Sequence, residues 1–189
     1  MMKIAGLAYV VAETTDLNRW KTYAQEVLGM MTSTAPDGGI YVRMDDRQFR
    51  FAIQSGANDA YLVSGWEVSQ QADFDEALQV LKNANVDFQM GDAKLCQLRC
   101  AQQVAQFKDP SGNRHELIWG FKSDFAHFAS PMGVSGFVTG NIGMGHTVLP
   151  APAFDETVKF CTEIMGFGLS DLFNFQPAGP EGPSLPIHF

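Results

Sequence analysis

Residues 4–29, IAGLAYVVAETTDLNRWKTYAQEVLG, contain the two elements that decide the fold. The apolar run at 4–11 ends in β-branched residues and predicts a largely buried strand. Thr15-Asp16 then offers an N-cap, and apolar residues at spacings of three and four predict an amphipathic helix over 16–28, ending at Gly29. The chain therefore opens with a strand that leads directly into a helix.

Antiparallel strands complete this first unit. A turn cluster at 36–39 precedes two β-rich runs, 40–44 and 48–53, which predict a hairpin. The same order of elements then recurs in a second copy. Its predicted elements are a strand at 60–68, a helix at 72–84, and strands at 98–107 and 113–119 joined by the turn Asp109-Pro110-Ser111-Gly112.

A third copy begins at residue 142. Residues 143–149 predict a strand, and 153–165 predict a helix capped by Gly166. The two helix ends are alike, with VLGM at 27–30 and IMGF at 164–167. Aligning them sets Gly6-Leu7-Ala8-Tyr9 against Gly143-Met144-Gly145-His146. Repeats of this length predict duplicated α+β modules whose sheets close a shared core, and not a short solenoid.

The spacing of these units divides the chain. Residues 1–120 are predicted to form a domain of two modules. Residues 121–141 are rich in small, polar, glycine and proline residues and predict a linker. Residues 142–189 are predicted to be the first part of a second domain, because 187–189 resembles the start of a strand more than a chain terminus.

Composition excludes several classes of protein. The chain has 189 residues, of which 46% are hydrophobic, so it can form a substantial core. Its net charge of −8 argues against a nucleic-acid partner. No apolar run approaches the ~20 residues of a membrane span, and no secretory signal is recognisable. Three cysteines cannot all pair within one chain and predict reduced thiols in a cytoplasm.

Three features together resemble the vicinal oxygen chelate superfamily, which is built from βαβββ modules. They are the module repeat, the Asp-Pro-Ser-Gly turn that leads to Glu116-Leu117, and the Gly143-x-Gly145-His146 motif. Within that superfamily the chain is similar to type I extradiol dioxygenases of the 2,3-dihydroxybiphenyl 1,2-dioxygenase kind. The more specific part is Ser135-Gly136-Phe137-Val138-Thr139-Gly140, followed at once by the Gly-x-Gly-His motif.

This resemblance implies a function. Family members cleave a catecholic ring next to its diol, using O2 and a metal held by two histidines and a carboxylate. The metal is usually Fe(II), with Mn(II) possible. The resemblance also implies that the protein forms a homo-oligomer. His146 occupies the position of the first metal ligand, while Val148 and Phe189 match residues that line the substrate pocket.

The same alignment identifies a counterpart in the first domain. Tyr9, Trp66 and Glu116 are the positions expected to match metal ligands, and they predict a vestigial site without metal. Their spacings, carried forward from His146, fall beyond residue 189. The chain is therefore expected to be an N-terminal portion of such an enzyme, without an acid–base histidine and without bound metal on its own.

Two other classes remain open on the residues alone. One is a different metal-dependent member of the superfamily, such as a glyoxalase-like isomerase or an antibiotic-resistance protein. The other is a non-catalytic binding or assembly module, because one imidazole cannot hold iron tightly.

Overall fold

The structure, a computed structural model, describes residues 1–175 and 185–188, with the backbone alone for 141, 172–175 and 185–188. The strands are β1 Ile4–Thr14, β2 Met31–Thr34, β3 Ile40–Arg43, β4 Phe51–Ser55, β5 Ala60–Val68, β6 Phe88–Met90, β7 Gln103–Lys108, β8 Arg114–Trp119, β9 Leu172–Phe175 and β10 Leu185–His188. The α-helices are α1 Leu17–Thr22, α2 Gln71–Asn83, α3 Ala93–Leu98 and α4 Phe154–Lys159. No helix in these residues is long and apolar enough to cross a membrane.

The first eight strands form one mixed sheet in the order β2-β3-β4-β1-β5-β8-β7-β6. Each half is one βαβββ module, so the α+β class and the module organisation predicted from the sequence are confirmed. The halves join where β1 pairs antiparallel with β5. Within the halves, β1 is parallel to β4 and β5 is parallel to β8. The first strands of both modules therefore lie side by side at the centre of the sheet.

Apolar side chains fill both faces of this sheet. The inner face holds one cluster that draws on both modules, including Tyr9, Val63 and Ile118. On the outer face, residues of and around α1 cover the first module, and α2 covers the second. Because successive strand residues point to opposite faces, a shift of one position moves a side chain from the inner cluster to an outer one.

The helices of the first and third copies have the same form. Asp16 caps α1 by accepting a hydrogen bond from the backbone N–H of Arg19, as the sequence predicts. Both α1 and α4 continue into a π-helical turn, Tyr23–Val27 in one and Phe160–Ile164 in the other. Gly29 and Gly166 follow with φ of +67° and +81°, a backbone conformation that glycine adopts without strain.

The third copy packs on the outer face of the second module. Phe160 and Met165 are buried in the same cluster as Phe107 on β7. The backbone N–H of Met2 donates to the Ile164 carbonyl at 2.9 Å. The helical segment 154–165 is therefore part of the apolar core on the outer face of the second module.

The predicted strand at 143–149 is wrong within this structure. Its regular pairing is limited to one parallel bridge between Leu7 and Gly143. A strand needs a neighbour to satisfy its backbone groups along its length. β4 pairs with β1 only from Val10 to Thr14, which leaves the edge at Leu7 open to Gly143, but the described residues extend this contact no further than one bridge. Residues 143–149 are therefore irregular.

Other differences concern short elements. The structure adds β2, β6 and α3, and it starts β7 at Gln103, where the sequence pattern suggested a strand from residue 98. Residues 121–141, predicted as a linker, run along the first domain, with the Lys122 N–H donating to the Cys100 carbonyl at 2.8 Å. The Ser130 hydroxyl donates to the Gly29 carbonyl at 2.7 Å.

Candidate metal ligand and the buried carboxylate centre

His146 lies on an exposed segment beside the first domain. The backbone N–H of Met144 donates to the Leu7 carbonyl at 2.9 Å. The Thr147 hydroxyl lies 2.9 Å from the hydroxyl of Tyr61 on β5. These two contacts place the His146 segment against the centre of the sheet, with Val148 67% exposed.

Two glycines that the repeat aligns meet at this contact. A Cβ on Gly6 would stand 2.7 Å from the Ile142 carbonyl oxygen, and a Cβ on Gly143 would stand 2.1 Å from the Leu7 carbonyl oxygen. Both distances are closer than real side chains approach a backbone. The Gly-x-x-Tyr and Gly-x-Gly-His motifs therefore need glycine so that the two backbones can touch.

The counterpart of His146 in the first domain is buried at the sheet centre. Strand pairing sets Tyr9 on β1 opposite Gly65 on β5, and Gly65 opposite Glu116 on β8. A Cβ on Gly65 would stand 2.3 Å from the Tyr9 ring, so glycine gives that ring its space. Tyr9 and Glu116 are both 0% exposed.

Glu116 is the centre of a hydrogen-bond cluster. Its Oε2 accepts from the Tyr9 hydroxyl at 2.5 Å and from Arg99 Nε at 2.7 Å. Its Oε1 accepts from Gln106 Nε2 at 2.8 Å and from Arg99 Nη2 at 3.2 Å. The Arg99 guanidinium, whose side chain is 5% exposed, supplies the opposite charge. A buried carboxylate requires such a partner.

Burial and nearby charges determine the protonation states of Tyr9 and Arg99 in this cluster. Burial, with the nearby Glu116 charge, raises the pKa of Tyr9 well above its usual value. Burial lowers the pKa of Arg99, but Glu116 and Tyr9 outweigh it, so the net direction is upward. Tyr9 is therefore a neutral donor and Arg99 a permanent cation, and neither can act as a proton carrier near neutral pH.

Comparisons with known proteins agree with this geometry. The family described as dihydroxybiphenyl dioxygenase BphC D1 matches residues 7–56. An iron-dependent extradiol dioxygenase of Rhodococcus jostii (strain RHA1) is 37% identical over 93% of this chain and 59% of its own length. The 3-methylcatechol 2,3-dioxygenase of Pseudomonas putida (strain F1 among its designations) is 34% identical over 100% of this chain and 64% of its own length.

A solved catechol 2,3-dioxygenase superposes with a TM-score of 0.89 at 27% identity, covering 97% of this chain and 61% of that chain. The chain is similar to extradiol dioxygenases over nearly its whole length, and it has the fold of the vicinal oxygen chelate superfamily. It spans about six-tenths of the length of the curated relatives named above.

Trp66 does not join the buried centre around Glu116. Its side chain lies on the outer face, where Nε1 donates to His115 Nδ1 at 3.0 Å and the ring packs 4.8 Å from that of Phe167. The prediction that grouped Trp66 with Tyr9 and Glu116 is off by one residue, because Gly65 takes that place. The pairing of β1 with β5 contains three register shifts, which a count along the sequence does not register.

Within residues 1–175 and 185–188, no three or more His, Cys, Asp or Glu side chains are arranged to hold a metal ion. His146 is a suitable ligand type for Fe(II), but it is one of the three that such a site needs. The described residues therefore do not form a complete metal site. Phe189, predicted to line the substrate pocket, lies outside the described residues.

Sequence reasoning missed Arg99, Gln106 and Gly65. Arg99 follows a short helix that the pattern did not predict, so nothing marked it as an interior residue. Gln106 could have been found, because it lies directly opposite Glu116 in the predicted hairpin. Gly65 offers no side chain, and its importance lies in the space that it leaves for Tyr9.

Proposed function

We propose that this chain serves the extradiol cleavage of a catecholic ring by O2 at a non-haem Fe(II), in the catabolism of aromatic compounds. The observation that carries this proposal is the similarity over nearly all of the chain to named extradiol dioxygenases. The rest of the ligand set would come from residues other than those described.

In this proposal the two parts of the chain have different roles. His146 is the first metal ligand, with Mn(II) as the alternative metal, and Val148 and Phe189 contribute apolar walls for a flat ring. Residues 1–120 form a domain without metal, in which Tyr9 and Glu116 are the remains of the duplicated site. Without further ligands this chain alone would hold little metal and turn over little substrate.

Further features of the proposal follow from composition and the resemblance. We place the protein in the cytoplasm, where its cysteines, free within the described residues, stay reduced. We expect a homo-oligomer, with a catechol and O2 as its small-molecule partners. Size-exclusion chromatography with light scattering tests the assembly, and a monomeric mass for the native product would contradict it.

The experiment begins with the intact mass of the native product. If that mass exceeds the 20.8 kDa of this chain, the purified product is assayed for bound iron and for O2 uptake with 3-methylcatechol and biphenyl-2,3-diol. His146→Ala should abolish both iron binding and ring cleavage. His127→Ala is the matched control, because His127 is also an exposed histidine and lies outside the motif.

Two outcomes would contradict the proposal. Iron retention and ring cleavage in His146→Ala would remove His146 from the site. A native mass of 20.8 kDa without O2 uptake would favour the alternative, a binding or assembly module, which the incomplete ligand set in the described residues supports. A metal-dependent isomerase would bind metal and convert a substrate to an isomer without consuming O2.

A further inference from the structure

The buried centre of the first domain contains a carboxylate that is matched by one internal cation. We propose that this centre is a cation site, and that the Arg99 guanidinium occupies it permanently. When the side chain of Arg99 is shortened, the site should accept a free guanidinium ion. The proposal does not require His146 to bind iron, because the cluster lies wholly within the first domain.

The charge balance of the cluster supports this inference. Three side chains donate to Glu116, but Tyr9 and Gln106 are neutral. Arg99 alone among these donors compensates the negative charge, through one hydrogen bond to each carboxylate oxygen. An uncompensated carboxylate at this depth costs several kcal/mol, so removal of Arg99 leaves a strong demand for a cation.

The arrangement suits a guanidinium and not a divalent metal ion. Glu116 is the one carboxylate of the cluster, while Tyr9 donates through its hydroxyl and Gln106 through Nε2, so these two side chains face Glu116 as donors and not as metal ligands. Strand pairing places Tyr9 and Glu116 in one row through Gly65. The Arg99 Cζ lies 5.9 Å from the centre of the Tyr9 ring.

The backbone around Arg99 is shaped to deliver this side chain inward. Arg99 ends α3, and Cys100 follows with φ of +49°, a strained conformation for a residue other than glycine. Arg99 Nη1 is buried and lacks a hydrogen-bond partner among the described atoms. Buried polar atoms usually have a partner. The bonds from Nε and Nη2 to Glu116 therefore hold the guanidinium in place although Nη1 is left without one.

Arg99→Ala tests the proposal by chemical rescue. The thermal midpoint should fall by about 10 °C or more, since one partner of a buried ion pair is lost. Guanidinium chloride at low millimolar concentration should raise that midpoint saturably. Sodium chloride at equal ionic strength should not. Arg19→Ala, which removes an exposed arginine, is the matched control and should show no rescue.

A second pair of variants keeps the test decisive if Arg99→Ala folds poorly. Arg99→Met with Glu116→Gln removes both charges and should be more stable than Arg99→Met alone. For an insoluble Arg99→Ala, the refolding yield with and without guanidinium replaces the midpoint. The proposal is overturned if guanidinium does not raise the midpoint or the yield above the sodium chloride control. It is also overturned if Glu116→Gln fails to stabilise Arg99→Met.

Discussion

The motif that begins at Gly6 and the motif that begins at Gly143 show how context decides the fate of one pattern. Gly6 to Tyr9 lies within an eleven-residue strand that pairs with β5 through this motif and with β4 from Val10 onward. Gly143 to His146 has the same spacing but only one bridge, to Leu7, and remains irregular. Tyr9 is fully buried as a result, whereas His146 is exposed.

The helices that follow these two motifs do not differ in this way. Both pass from an α-helix into a π-helical turn and end at a glycine with positive φ. A helix satisfies its backbone hydrogen bonds within one segment, but a strand must find them in another. The third copy therefore forms the backbone hydrogen bonds of its helix within its own segment. A strand at 143–149 would need a pairing partner along its length, and the described residues provide one bridge.

Gly65→Ala should break the first side of this comparison with the largest effect. The new methyl group would stand 2.3 Å from the Tyr9 ring and displace it from Glu116. Overpacking and a lost buried hydrogen bond together predict destabilisation of about 3 kcal/mol or more. Urea unfolding measures this, with Gly168→Ala as the control, because no atom lies within 4 Å of its added Cβ. Equal stability of the two variants would contradict the packing described.

Gly143→Ala should break the second side. Its Cβ would meet the Leu7 carbonyl oxygen at 2.1 Å, so the bridge between β1 and the third copy must open. Gly133→Ala is the control, because Gly133 has a similar φ of +72° and open space around it. We expect Gly143→Ala to be less stable than the control by about 2 kcal/mol. It should also be cleaved faster near residue 143 in limited proteolysis, and equal cleavage rates would contradict the bridge.

Asp45 supports the contact between β1 and Gly143 through Arg50, and its carboxylate should make that contact sensitive to pH. It binds Arg50, which donates to the Ala8 carbonyl at 2.8 Å beside Gly143. Burial raises the pKa of Asp45, but hydrogen bonds and charge from Arg50 lower it more, so the net direction is down from 3.8. A depressed pKa means that the stabilisation is complete above the unfolded-state value and is lost as pH falls through the folded-state value.

Asp45→Asn should therefore cost about 1.5 kcal/mol at neutral pH, as expected for a lost charged hydrogen bond. The difference from the native chain should shrink as the pH falls below about 4. Urea midpoints at several pH values measure it. A difference that stays constant with pH would assign the effect to packing and not to the charge.

The sequence predicts the fold better than it predicts the buried cluster around Glu116. Apolar periodicity, the Asp16 cap and the glycines at helix ends are local signals, and they predicted both modules. β2, β6 and α3 were missed because they are short, and pairing or packing from elsewhere holds them in place. Trp66 was misplaced because bulges between β1 and β5 change the register by steps that spacing does not reveal.

The hydroxyl pair of Tyr61 and Thr147 offers the smallest and most specific test of the comparison. It joins β5 to the segment beside His146 at 2.9 Å, and Tyr61 also lies 2.7 Å from Ser64 Oγ. Thr147→Val keeps the shape and removes one partner, so it should cost about 0.5–1 kcal/mol. Tyr61→Phe should cost slightly more, because it also removes the Ser64 contact.

A double-mutant cycle isolates the bond between the two copies. If Tyr61 and Thr147 interact directly, the double variant should be more stable than the sum of single effects predicts, by about 0.5 kcal/mol. Strict additivity would mean that the segment does not dock through this bond. A coupling of this size beside a single bridge is far weaker than the continuous pairing of β1 with β5, in agreement with a fully buried Tyr9 and an exposed His146.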